Sequence, residues 1–313
     1  MTLDPELIPF LGGPDNANMD HIERSRAIDA ALTADAVAKR APLAANFSVH
    51  DESVNPGADN DVVVRIYRRH DLPPAAGAFL FIHGGAFVFG DLESEHDRCV
   101  YYAQTVDAVV VSVDYRLAPE FPYPAGHEDV WTALTWLVAH ADELGIDPQR
   151  ICVGGASAGG SLAAGIVVRA RDEHGPSIAA QLLIYPVLDD RSTSLSMSTF
   201  EFYDPWDGDR SRKMWPLYLG HDGDAPVYAA PARASELRGL PPTFMMSCEE
   251  DPLRDEELEF VQRLLSAGVS VELHHYAGTY HAFDVIAPEA EVSRRALREQ
   301  ALFLQRTIGS PAL

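Results

Sequence analysis

A side-chain alcohol attacks a carbonyl only when a neighbouring base takes its proton and its oxygen stands clear of the backbone. Gly155-Ala156-Ser157-Ala158-Gly159 meets the second condition. It fits G-x-S-x-G, directly after the apolar run Ile151 to Gly154 and directly before the helical run Ser161 to Arg171. Small neighbours there permit a sharp strand-to-helix turn that projects the serine oxygen at a helix N-terminus. Gly160 keeps the helix start equally bare. The same five residues would also serve as a plain small-residue turn; their place between strand and helix favours a nucleophile.

Acyl transfer also needs donors for the oxyanion of the tetrahedral intermediate. His83-Gly84-Gly85-Ala86 follows the apolar strand Phe79 to Ile82, and its glycines let the backbone turn close to a substrate. The expected donors are the N–H groups of Gly85, Ala86 and Ala158, with His83 and Gly84 as supporting residues of the motif. The bland alternative is an ordinary glycine-rich turn.

The base and its orienting acid should follow in the order Ser, Asp, His at the ends of later strands. After the run Thr243 to Ser247 comes Glu249-Glu250-Asp251-Pro252-Leu253-Arg254-Asp255. Asp251 is the candidate acid, but Asp before Pro252 is also a good helix cap with proline at N1, and spacing alone leaves Glu250 and Asp255 open. Twelve histidines compete for the base. His274 and His275 fall inside the run Val271 to Tyr276 and read as strand side chains, whereas His281 lies past Gly278 in the following loop, where its ring could swing over Ser157.

Those residues need a scaffold that brings strand ends together. From about residue 45, short β-rich runs alternate with helical patterns: Val62 to Tyr67, Ala78 to His83, Ala108 to Asp114, Arg150 to Gly155, Ala180 to Tyr185, Pro242 to Ser247 and Val269 to Tyr276. Continuously apolar runs such as Val109 to Val113 are what strands buried on both faces require, so the pattern predicts a mostly parallel, doubly covered sheet. Between them, Val130, Leu134, Leu137 and Val138 form one helical stripe, and Leu258, Val261, Leu264 and Leu265 another, with Gly268 as its C′ residue. Two stretches break the alternation: residues 1 to about 45, with a helical pattern at Ile22, Arg26, Asp29, Leu32 and Ala36, and residues 190 to 225, rich in aromatics, Ser and Asp. Both are candidates for a lid over the carboxyl ends of the strands, where ligands bind.

Composition narrows the partners. The 313 residues are 47% hydrophobic and carry a formal net charge of −23, with 24 Lys+Arg against 47 Asp+Glu. Such a negative field makes nucleic acid and anionic membrane poor partners, and solubility is its plainest use. Met1 to Asp20 has no secretory signal pattern and no run reaches the roughly 20 apolar residues of a membrane span, so a cytoplasmic location is the default expectation. Cys99, Cys152 and Cys248, an odd number without CxxC spacing, argue against a disulfide framework and a zinc site; Cys152 reads as a small buried residue. No metal or cofactor is expected.

Taken together, HGGA at 83–86, Val113-Asp114-Tyr115-Arg116-Leu117-Ala118-Pro119-Glu120, GASAGG at 155–160, DPLRDE at 251–256 and His281-Ala282-Phe283 resemble the hormone-sensitive-lipase-like esterases, the bacterial family IV carboxylesterases. The match runs from about residue 78 to 306. The resemblance implies an α/β-hydrolase fold: an eight-stranded, mostly parallel sheet flanked by helices on both faces. A helical cap would form from residues 1–45 and an insertion at 190–225, with 46–313 as the catalytic domain. It implies Ser157, Asp251 and His281 as the triad, which lifts Asp251 above its rivals, and Asp114, Arg116 and Glu120 as structural polar residues behind the site. Two positions depart from the family pattern: Ala86 stands for its third glycine, and Ala156 for the Asp or Thr before the nucleophile.

The expected reaction is hydrolysis of short- to medium-chain acyl esters of small molecules through an acyl-enzyme, and homodimers are common in the family. Amidase, deacetylase and lipase activities use the same machinery, but nothing marks amide specificity, and the segment Asp204 to Asp209 is too acidic for an interfacial lid. A non-catalytic receptor on this fold, like the plant gibberellin receptor, would lack the catalytic histidine, and this chain has His281.

Overall fold

The computed structural model describes residues 3–54, 61–200 and 204–310. Eight strands form one sheet: β1 (Phe47–Ser53), β2 (Val63–Arg69), β3 (Ala76–Ile82), β4 (Ala108–Asp114), β5 (Ile146–Ala156), β6 (Ala180–Ile184), β7 (Thr243–Glu250) and β8 (Val271–Tyr280). Their spatial order is β1-β2-β4-β3-β5-β6-β7-β8, antiparallel at β1/β2 and β2/β4 and parallel from β4 onward. The expected α/β-hydrolase architecture is therefore present. Every residue of β3 and β6 is buried, as sheet strands covered on both faces demand.

Side-chain alternation along β3 sorts the core into two layers. Ala78, Leu80 and Ile82 pack on one face with α3 (Ala125–Ala139) and α5 (Ala158–Asp172), among other elements. Phe79 and Phe81 face the other way, towards helices spanning His96–Thr105 and Glu291–Thr307. The remaining helices needed below are α1 (Ile22–Lys39), α2 (that His96–Thr105 helix), α4 (Ala141–Leu144), α6 (Leu195–Thr199), α7 (Gly208–Leu219) and α8 (Arg254–Ser266), followed by α9 (Phe283–Ile286) and α10 (the Glu291–Thr307 helix). No helix among the described residues is long and apolar enough to cross a membrane.

Several sequence expectations need adjusting. Strand β1 has no counterpart among the seven apolar runs, because it is an edge strand carrying His50, Asp51 and Glu52 outward and burying only Phe47 fully. Helix α8 turns its stripe slightly: Phe260, Val261 and Leu264 are buried while Leu265 is 56% exposed. Gly268 follows α8 with φ +80°, the left-handed C′ conformation expected of it. The pattern at Ile22, Leu32 and Ala36 does mark a helix, yet α1 buries only Ser25 and leaves Leu32 43% exposed. Polar contacts dock it instead.

Arg26 is the centre of those contacts. Its Nε donates to Val88 O at 3.0 Å, Nη2 to Ala118 O at 2.9 Å, and Nη1 pairs with Glu120 at 2.7 Å. Asp15 and Asp20, before the helix, pair with Arg210 and Lys213 of α7 at 3.1 and 2.6 Å. Within the described part of the 190–225 insertion, the acidic stretch has a local reason: Asp207 caps α7 by accepting from Arg210 N at 2.7 Å. Residues 1–2 and 201–203 of these two segments lie outside the described residues.

Because Arg26 makes most of the polar anchorage of α1, Arg26→Ala should speed amide exchange across residues 22–39 by about tenfold or more, the ratio that 1.4 kcal/mol of lost local stability produces, while β3 and β5 stay protected. Unchanged exchange in α1, followed by mass spectrometry, would mean that apolar contacts hold the helix.

Candidate active site

Strand β5 ends at Ala156, and the chain turns through Ser157 at φ 54°, ψ −117° before α5 begins. That backbone is disfavoured for any residue with a side chain, and its surroundings enforce it. Ser157 N donates to Ile184 O at 2.9 Å, at the end of β6, and Ser157 O accepts from Val187 N at 3.1 Å, in the segment that follows it. Across the turn, α5 packs so tightly on β3 that a Cβ at Gly159 would overlap the carbonyl oxygens of Ile82 and His83. The small residues of the motif are thus contact requirements.

His281 follows β8 directly. The strand runs through Gly278 to Tyr280, so the ring is carried by a strand end rather than by a free loop. His281 Nε2 lies 3.0 Å from Ser157 Oγ, and Nδ1 lies 2.7 Å from Asp251 Oδ2. Asp251 is fully buried, and its other oxygen accepts from Leu253 N at 2.9 Å. It does not cap a helix: α8 starts at Arg254, and Asp251 closes a turn before it. Asp255 serves elsewhere, accepting from Ser196 N at 2.8 Å and Arg254 Nε at 2.9 Å. His274 sits between Glu272 and Glu299 at 2.9 and 3.0 Å, and His275 Nδ1 is 3.3 Å from Ser247 Oγ.

The loop after β3 lies beside the serine. Gly84, Gly85 and Ala86 line the same cavity as Ser157 and His281, a space of about 250 Å³. Gly85 has φ +113°, and a Cβ there would overlap Phe89 O, so only glycine fits. Ala86 and Phe87 continue in left-handed conformations, and the N–H groups of Gly85 and Ala86 have no acceptor among the described residues. Ala158 opens α5 with its methyl in the core; it contributes a helix-terminal N–H, which has no intrahelical partner. Ala156, where the family carries Asp or Thr, places a buried methyl at the cavity wall.

His83 shapes that loop from within. Its ring is fully buried and stacks on Tyr115 at 4.3 Å, Nδ1 donates to Gly84 O at 2.7 Å, and Tyr115 OH donates to His83 O at 3.1 Å. Burial pushes the imidazole down to about 4. Further out, Phe87 stacks on Tyr218 of α7 at 3.7 Å. Arg116 holds Asp129 at 2.8 Å and Glu120 holds Arg26, so both are structural partners in this region; burial raises the Asp114 carboxyl.

Four features of the site have no motif. Tyr185, straight after β6, sets its ring edge-on to His281 at 4.8 Å. Its hydroxyl donates to Asp284 Oδ1 at 2.8 Å, and Arg98 binds Asp284 Oδ2 at 3.0 Å and Glu95 at 2.6 Å. Trp206, from the insertion, approaches His281 at 6.1 Å, and Asp29 of α1 lines the cavity. Position at a strand's carboxyl end was the one signal that could have singled out Tyr185.

A strained serine between strand and helix, touching a histidine that touches a buried aspartate on a parallel sheet, defines the α/β hydrolases as a class. A family model described as alpha/beta hydrolase fold matches residues 79–285. The esterase LipI of Mycobacterium tuberculosis is 38% identical over 279 residues, covering 82% of this chain and 83% of its own. The carboxylesterase NlhH of the same species is 37% identical over 273 residues, with 82% of each chain covered. Among solved structures, a bacterial heroin esterase superimposes with a TM-score of 0.92 at 40% identity, covering 99% of both chains. This chain belongs to the α/β-hydrolase family, it is a carboxylic ester hydrolase, and the motif resemblance to hormone-sensitive-lipase-like carboxylesterases is borne out by these relatives.

The His83 environment carries a stability prediction. Its folded value lies below the ordinary 6.5, so between those values the native state binds fewer protons than the unfolded chain. Stability is then complete above pH 6.5 and drains away as pH falls towards 4. At about 1.4 kcal/mol per unit the loss attributable to His83 is roughly 3 kcal/mol. Thermal unfolding of wild type and His83→Gln between pH 7 and 4 should show a shallower acid loss in the variant; parallel curves would assign the acid sensitivity to other groups.

Proposed function

We propose that this enzyme is a serine carboxylesterase that hydrolyses short- to medium-chain acyl esters, with Ser157 as nucleophile, His281 as general base and Asp251 as its orienting acid. The observation that carries this reading is the continuous hydrogen-bonded chain from Ser157 Oγ through His281 to Asp251 at 3.0 and 2.7 Å, opening on a cavity. In the resting site His281 carries its proton on Nδ1, towards Asp251, and Nε2 is free to accept from Ser157. As Ser157 Oγ bonds to the ester carbonyl carbon, its proton passes to Nε2. The carbonyl oxygen becomes an oxyanion held by the N–H groups of Gly85, Ala86 and Ala158, and His83 and Gly84 shape the loop that presents them. Collapse expels the alcohol, which takes the proton from Nε2. Water then repeats both steps on the acyl-enzyme and releases the acid.

A space of about 250 Å³ favours acyl groups of a few carbons. Residues 1–45 and the 190–225 insertion act as the cap over the catalytic unit, 46–313; Asn16 and Ala17 from the first and Pro205 and Trp206 from the second line the cavity. A receptor role is disfavoured because His281 is present and touches the serine.

Para-nitrophenyl esters of increasing acyl length test the proposal. Turnover should fall off at long chains and drop by about 10⁴-fold or more in Ser157→Ala. Activity that survives in that variant would move the nucleophile elsewhere. Gly85→Ala, which must displace the donor loop, should lower kcat by about 10²-fold or more with a smaller effect on KM; a change confined to KM would remove Gly85 from the oxyanion site.

A further inference from the structure

Among the described residues, the cavity at Ser157 is lined by no lysine or arginine and by two carboxyl groups, Asp29 and Glu95, beside the rings of Phe89, Tyr185 and Trp206. The two carboxyls differ in their company. Glu95 is buried against Arg98 at 2.6 Å, inside the ion network behind Tyr185. Asp29, half-buried on α1, accepts from the Asn16 amide at 3.1 Å and has no ion pair among the described residues. Burial, and to a lesser degree the neighbouring Asp91, raise its carboxyl above the ordinary value, the mark of an anion without a counter-ion.

The groove that leads away from Asp29 between α1 and α2 repeats the imbalance. Among the described residues its walls carry five carboxyl groups and two guanidinium groups. Neither guanidinium is spare: Arg40 is paired with Glu93 and Asp97, and Arg98 with Glu95 and Asp284. Among the described residues, no lysine or arginine lining the cavity or this groove is left unpaired to offset Asp29, in a chain whose net charge is −23.

A half-buried carboxylate in a mostly apolar space carries a desolvation cost that a neutral ester leaves standing and an anionic ester increases. A substrate with a positive charge removes it, and the aromatic faces of the same cavity attract cations further. Building on the esterase reading above, we propose that Asp29 is a specificity-determining residue and that the preferred substrates are esters whose acyl or alcohol part bears an ammonium group.

The test uses pairs of esters that differ only in a quaternary nitrogen against a quaternary carbon. On the alcohol side these are acetylcholine and 3,3-dimethylbutyl acetate. On the acyl side they are the para-nitrophenyl esters of 4-(trimethylammonio)butanoate and 5,5-dimethylhexanoate. The readout is the ratio of kcat/KM, cationic over neutral, in wild type, Asp29→Asn and Asp29→Glu. In at least one pair the ratio should fall about tenfold in Asp29→Asn and be largely kept in Asp29→Glu, and in wild type it should fall as salt rises. Ratios that are equal in all three proteins for both pairs overturn the proposal. Should Asp29→Asn fail to fold, competition in the wild type decides: tetramethylammonium should inhibit hydrolysis of para-nitrophenyl acetate competitively, well below the concentration at which tert-butanol does. Equal weak inhibition by both overturns the proposal. Failure of the underlying esterase reading looks different, because then neither neutral ester is hydrolysed in a Ser157-dependent way.

Discussion

The contact between α5 and the end of β3 sets the terms for everything around it. Glycine at 159 lets the helix close on the carbonyls of Ile82 and His83, and the turn between β5 and α5 is left with so little room that Ser157 must adopt a backbone conformation it would avoid elsewhere. Two hydrogen bonds, to the end of β6 and to the segment that follows it, hold it there. The strain lifts Ser157 Oγ clear of the sheet, and the same close approach brings the loop that starts at His83 alongside it. One packing decision thus places both the alcohol and the loop of residues 84–86 that lines the same cavity.

The partners of the serine arrive from the ends of β7 and β8, and each is immobilised by burial. Asp251 uses one oxygen on its own turn and the other on His281, so the carboxylate cannot rotate without losing a bond in a site that water does not reach. His281 is flanked by the edge of Tyr185, itself tied through its hydroxyl to Asp284 and Arg98. In the proposed mechanism, a ring so confined would exchange a proton with Ser157 with little rearrangement, the preorganisation that electrostatic catalysis depends on.

Local features of this design were legible in the sequence, and non-local ones were not. The elbow, the HGGA turn and the order Ser, Asp, His depend on a few consecutive residues next to strongly apolar strands, and the structure brings His281 within hydrogen-bonding distance of both Ser157 and Asp251. Strand β1 escaped because an edge strand shows solvent a charged face. The helical pattern before β1 gave no sign of what it docks on, because Arg26 holds that helix through carbonyls more than sixty residues away. Tyr185, Asp284 and Arg98 have no pattern of their own, and Asp29 stood only as one residue of a helical pattern. They matter only because the sheet order sets β6 beside β5 and because the chain before β1 folds back over the strand ends. Asp251 shows the reverse limit, since its spacing matched a helix cap that the structure does not contain.

The stack of Phe87 on Tyr218 joins the loop bearing Gly85 and Ala86 to α7 of the insertion, and α7 is ion-paired in turn to the segment before α1. Modularity is the casualty. An insertion borrowed from a relative in order to reshape the cavity would arrive with its own aromatic, or none, against Phe87, and the loop bearing Gly85 and Ala86 would settle into a new position. Chimeras made at residues 190–225 would then vary in rate as well as in selectivity, and recovering the rate would require exchanging residues 83–90 together with the insertion as one heritable unit.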